Sequence, residues 1–151
     1  YKLDYKKIDF KKIENRKLYR IGRGEQGVLL VRPYTDIICK HWRFKTPDTA
    51  RRSADKIYKM FESYKHKGDF IGMDMCRKFL EMGFTRARRY ANHKDGKKYN
   101  PDRTIKPQEP DALTSDKALS AKIFKNIRDL AAYDETYQTM RKQWRESENA
   151  V

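Results

Sequence analysis

The chain has 151 residues, and its 36 Lys and Arg against 21 Asp and Glu give a formal net charge of +15 and a sequence pI near 9.8. A chain of this length buries about 70% of its unfolded surface, so a real core is expected, and with Cys39 and Cys76 as its only cysteines it is not a disulfide-stapled scaffold. No apolar run approaches the roughly 18 residues of a membrane span and no secretory core segment is present; a reducing cytoplasmic setting, no membrane contact and polyanionic partners are the expectation.

Residues 1–17 alternate basic residues with Tyr5, Ile8, Phe10 and Ile13 without turn punctuation and read as an arm. Leu18 to Ile21 and Val28 to Val31 then look like two strands joined by the glycine-rich turn Gly22 to Gly27, with a third strand around Ile37 to Lys45. In that third segment Trp42 and Phe44 fall on one face and His41, Arg43 and Lys45 on the other, the alternation of a half-buried strand.

From Thr46 the period becomes helical. Thr46 as N-cap, Pro47 in the first position and Asp48 in the first turn start a helix carrying Ala50, Ala54, Ile57, Phe61 and Tyr64 inward, and Gly68 stops it. Asp69 caps the next helix, whose inward stripe is Met73, Cys76, Phe79, Leu80, Gly83 and Ala87 and which runs to about Asn92. Residues 94–113, with Pro101, Pro107 and Pro110 and few apolar groups, read as a mobile connector. Ser115 caps a helix with Leu119, Ile123, Ile127 and Leu130 inward, and a last helix carries Tyr133, Tyr137, Met140 and Trp144. The expected architecture is a single α+β domain over residues 1–151, with a small N-terminal antiparallel sheet packed against about four helices.

Charge is unevenly placed. Residues 84–106 hold eight cations and two acids, whereas residues 111–151 hold seven of each. Phe84 to Tyr99 contains six Lys or Arg and three aromatic rings. Guanidinium and ammonium groups suit phosphate oxygens and interleaved rings suit bases, so Arg86, Arg88, Arg89, Tyr90, His93, Lys94, Lys97, Lys98 and Tyr99 are the candidate nucleic-acid contacts. Helical spacing lines Arg86, Arg89, Tyr90, His93 and Lys97 along one side. Lys40 to Lys45 repeats the basic and aromatic theme, with His41, Arg43 and Lys45 as supporting cations and the Trp42 and Phe44 rings assigned to the core.

Other chemistry finds less support. Gly22, Arg23, Gly24 and Gly27 match a G-x-G-x-x-G phosphate loop, but an apolar run follows where a helix N-terminus is required, so a hairpin turn is the plainer reading. His41, His66 and His93 show no metal-ligand spacing, Cys76 lies on the apolar stripe, and Asp74 with Glu81 would need a pocket to act as acid and base. No metal, cofactor or catalytic group is therefore expected.

The segments Tyr19 to Val31, His41 to Pro47 and Gly68 to Tyr99 resemble an uncharacterised family of small cytoplasmic proteins of bacteria and tailed phages, classed as a domain of unknown function. The resemblance spans nearly the whole chain and implies no activity, cofactor or catalytic residue. The expected role is nucleic-acid binding with little sequence preference, through phosphate neutralisation by the cations after position 85 and stacking on Tyr90 or Tyr99; four phosphates neutralised on duplex would give a salt slope of about −3.6. The rivals are an assembly protein docking on an acidic partner or within a phage or ribonucleoprotein particle through Trp42, Tyr137 or Trp144, and an enzyme on a phosphorylated small molecule where the glycine-rich turn meets His41, Arg43 or His93.

Overall fold

The computed structural model describes residues 7–149; of the arm expected over 1–17, the part at 1–6 with Tyr5 lies outside the described residues, as do 150–151. Six helices follow in order among the described residues: α1 (Ile13–Arg16), α2 (Tyr34–Cys39), α3 (Pro47–His66), α4 (Phe70–Asn92), α5 (Asp116–Ala132) and α6 (Glu135–Asn149). No strand forms among them, and the only sheet-like pairing is an isolated antiparallel bridge between Tyr99 and Ile105. The fold is helical, which corrects the expected α+β architecture with its N-terminal sheet.

The reason lies in the apolar run Val28 to Val31, which suits either a buried strand or a helical turn because a short continuous run carries no period. Here Val28 and Val31 are buried and Leu29 is exposed, a spacing of three. The Val28 N–H donates to Glu25 O at 3.1 Å and the Leu30 N–H to Gly27 O at 3.0 Å, the short-range bonds of successive turns. Thr35 locks the segment, its hydroxyl donating to Val28 O at 2.7 Å and accepting from the Val31 N–H at 3.0 Å. The third expected strand is divided between α2 and an irregular stretch at 42–44 that has no ladder partner among the described residues.

Three of the four long helices start where their caps dictate. The Thr46 hydroxyl accepts from the Thr49 N–H and Thr49 returns the bond, a capping box around Pro47. The Asp69 carboxylate accepts from the Gly72 N–H at 3.1 Å and the Ser115 hydroxyl from the Ala118 N–H at 3.1 Å. Gly68, at φ +70°, lets the chain leave α3 in the left-handed conformation that a side chain disfavours.

α4 is the axis of the domain, packed chiefly against α5 and α3 and also against α2 and α6. Its residues from Phe70 to Leu80 are buried on every side rather than along one stripe. α5 comes unusually close to it, because a Cβ at Gly83 would stand 2.4 Å from the Phe124 ring. That approach brings Ala118, Ala121, Ile123, Phe124 and Ala131 inward, while Leu119 and Leu130, expected inward, are turned to solvent. Tyr133 is likewise exposed, whereas Tyr137 is buried and Trp144 stacks on Phe70 with ring centroids 5.2 Å apart.

Inside this core sits a charge cluster. Asp74 is fully buried and accepts from Arg77 Nε at 2.9 Å, from the Tyr137 hydroxyl at 2.6 Å and from the Tyr19 hydroxyl. The Lys78 ammonium, also fully buried, lies 3.8 Å from Asp74 and 4.8 Å from the centre of the Tyr19 ring. Burial, only partly offset by Asp74, pushes Lys78 down to about 8. Arg77 also donates to Gly24 O at 2.7 Å, so the cluster ties α4 to the glycine-rich turn and to α6.

Candidate nucleic-acid interface

The distal part of α4 leaves the core and carries the basic run outward. Gly83, Ala87 and Ala91 stay buried, and at about 100° per residue the positions between them fan across the open side. Two aspects result. Phe84, Thr85, Arg88, Arg89, Asn92 and His93 look toward residues 94–113, and Tyr90 lines a groove with the segment 42–45 while its ring also packs on Gly96.

On the Tyr90 side the two basic and aromatic segments of the sequence meet. The Tyr90 and Phe44 rings stack with centroids 6.2 Å apart and planes at 29°, and Phe44 in turn contacts Trp42 at 5.0 Å. Phe44 is thus a groove ring as much as a core ring. The groove, about 330 Å³, is lined by Trp42, Arg43, Phe44, Lys45, Tyr90 and Lys117. Tyr90 keeps 38% of its surface exposed, and the Trp42 indole N–H is buried with no acceptor. Ser53 on α3 holds the segment in place: its hydroxyl donates to His41 O at 2.7 Å and accepts from the Arg43 N–H at 2.9 Å. Lys117, from a stretch of chain with no net charge, sits 5.6 Å over the Phe44 ring and donates to Lys45 O at 2.7 Å.

Beyond Arg43 lies a second depression, lined by Lys40, His41, Arg43, Thr49, Arg52, Ser53 and Lys56, with no carboxylate in its lining. Burial together with Lys56, Lys40 and Arg43 lowers the His41 pKa, and burial with Lys45 lowers that of Lys117. Like-charge neighbours that depress basic groups leave a positive potential unanswered within the protein. The two depressions share Arg43, so cations and rings form one continuous track from Lys56 to Tyr90.

On the other aspect, residues 94–113 fold back over α4 as a strap. The Glu109 N–H donates to Asn92 O at 2.8 Å, the Lys94 N–H to the Glu109 carboxylate at 3.2 Å, the Lys106 N–H to Lys98 O at 2.8 Å, and Lys106 pairs with Asp95 at 2.6 Å. The segment expected as a mobile connector is therefore hydrogen-bonded along its length. Arg88 is turned into the strap, donating to Ala112 O and to Asn92 Oδ1 at 3.3 Å, so it positions the strap instead of standing free beside Arg89. Arg86, Arg89, Lys97 and Lys98 make no ion pair among the described residues, and Tyr99 is exposed with the Lys98 ammonium 5.6 Å from its ring centre. His93, expected along the outer face, is buried beneath the strap.

The remaining candidates are dispersed. Gly22, Arg23, Gly24 and Gly27 form a turn whose carbonyls face inward: Gly22 O accepts from Arg145 at 2.9 Å and Gly24 O from Arg77 at 2.7 Å. This turn does not meet His41, Arg43 or His93 in any common depression. Glu81 pairs with Arg128, away from the buried Asp74, and burial pushes the Cys76 thiol up. Among the described residues no His, Cys, Asp and Glu cluster of metal-binding size assembles, and no helix is long and apolar enough to cross a membrane. Of the docking anchors, Tyr137 is in the core and the Trp144 indole donates to Tyr19 O at 3.0 Å.

A family model described as a domain of unknown function (DUF4385) matches residues 1–147. No curated protein and no solved structure matches the chain.

Proposed function

The chain belongs to the DUF4385 family, and since that family's description assigns no activity we propose, from the geometry of the track, that the protein binds single-stranded nucleic acid with little sequence preference. One observation carries the reading: two basic and aromatic segments far apart in the sequence converge so that Tyr90 stacks on Phe44 in an open groove rimmed by Arg43, Lys45 and Lys117. A base sliding onto the Tyr90 and Phe44 surface keeps its π-face in contact with any of the four base types, which favours tolerance of sequence. Arg43, Lys45 and Lys117 at the groove, and Arg52 and Lys56 beyond Arg43, neutralise successive phosphates. Duplex is the poorer ligand, because its bases are stacked on one another and cannot reach rings set in a depression. The setting we take, on the family resemblance alone, is a bacterial or phage-encoded cytoplasmic protein.

Fluorescence polarisation across a salt series tests this. With about four phosphates neutralised on a single strand the slope of log K against log salt is expected at about −2.8, from roughly −0.7 per contact, with duplex bound more weakly at each salt concentration. Affinity that does not change between low and moderate salt would remove the reading.

A further inference from the structure

Between the distal end of α4 and the strap lies a cavity of about 370 Å³, within the span of about 300–1,000 Å³ typical of small-molecule sites. Phe84 and Ile105 give it apolar walls, and Arg88, Arg89, His93, Lys98 and Lys106 surround it with basic groups; no carboxylate lines it. Arg88 and Lys106 are held in place by the strap's own bonds, to Ala112 O and to Asp95. Arg89 and Lys98 make no ion pair among the described residues. His93 is only 6% exposed, and its Nδ1 is buried without a hydrogen-bond partner. A buried ring nitrogen left unsatisfied in native structure calls for a partner, and the cavity that His93 lines is where one would sit.

We infer that this cavity receives a phosphate monoester on a nucleotide-sized group, supplied by the 5′ end of a bound strand, with His93, Arg89 and Lys98 holding the phosphate and Phe84 and Ile105 flanking the sugar and base. The source of that phosphate rests on the reading of the track as a strand-binding surface; the chemistry of the cavity does not. A monoester carries more charge and one more terminal oxygen than the diester inside a strand, which matches a cavity lined by basic residues and by no acid. Arg89 lines this cavity and Tyr90, the next residue of α4, lines the stacking groove, so a strand with its first nucleotide in the cavity has the groove beside it for its next bases. The strap closes the far side, an arrangement that suits a chain end better than a chain passing through.

The test compares three probes on the intact protein: a short single strand with a 5′-phosphate, the same strand with a 5′-hydroxyl, and a free nucleoside 5′-monophosphate. The phosphorylated strand is expected to bind about tenfold tighter than the hydroxyl strand, the effect of one or two charge-assisted hydrogen bonds. The ratio should fall close to one in His93→Gln; Lys98→Ala, at an exposed position, reads the same ratio should His93→Gln lower the melting temperature. Equal binding of both strands with salt-dependent uptake retained would overturn the cavity assignment and leave strand binding standing. Binding of the monophosphate without uptake of either strand would support the cavity and overturn the strand reading, and binding of none of the probes would overturn both.

Discussion

Asp74→Ala is expected to lower the free energy of unfolding by about 3–5 kcal/mol, the range for removing one partner of a buried ion pair. The substitution leaves the fully buried Lys78 ammonium and the nearly buried Arg77 guanidinium facing each other without an anion. It also deprives the Tyr19 and Tyr137 hydroxyls of their acceptor, loosening α6 and the segment that precedes the glycine-rich turn from α4. Urea denaturation gives the size of the loss, and the double variant Asp74→Ala/Lys78→Met should lose less than the single one, because the unpaired charge is gone. A loss below about 1 kcal/mol would show that the cluster is not desolvated as described.

The same cluster fixes a pH profile. Lys78 in the folded state lies near 8, below its ordinary 10.5, so above pH 8 the folded protein releases a proton that the unfolded chain keeps. Unfolding free energy therefore rises with pH from about 8. Tyr19 and Tyr137 are pushed above the ordinary tyrosine value of 10.0, first by burial and then by Asp74, so beyond that pH the unfolded chain loses phenolic protons first and stability falls again. Lys78→Met should flatten the rise and leave the fall.

The second large effect concerns the groove. Tyr90→Ala is expected to weaken single-strand binding by about 1–3 kcal/mol, roughly 5-fold to 150-fold, the usual range for one base stacked on an aromatic ring. The substitution removes half of the stacked pair with Phe44, yet Tyr90 is part-exposed at the helix end and outside the main core, so the melting temperature should move little. The salt slope should also stay close to the wild-type value, because no cation has been lost. A loss of affinity accompanied by an equal loss of slope would mean that the ring supports the cations and does not itself receive a base.

The helical frame was legible wherever caps punctuate the sequence. Thr46 with Pro47, Gly68 with Asp69, and Ser115 set the ends of three long helices through short-range hydrogen bonds that need no tertiary context. The sheet was a misreading of Val28 to Val31, whose period is decided by Thr35 and by packing beneath them, neither visible in a four-residue apolar run. Asp74, Arg77 and Lys78 have the three- and four-residue spacing of a solvated ladder; only the presence of neighbours on every side of α4 buries them. Of the interface, composition alone marked the stretch from Arg86 to Tyr99. It could not separate Arg88, which is bonded to Ala112 O of the strap, from Arg89, which makes no ion pair among the described residues, nor find Lys117, whose stretch of sequence is electrically neutral. The convergence of Phe44 with Tyr90 depends on how α3 and Ser53 carry the segment 41–43, a tertiary fact with no local signature.

The most direct measurement is photocrosslinking of a single strand containing 5-bromouridine, with the adducts located by mass spectrometry. Adducts are predicted at Tyr90 and Phe44, with Trp42 the next site along the groove. Adducts confined to residues outside the groove, such as the exposed Tyr133, or none at low salt, would contradict the assignment of this groove.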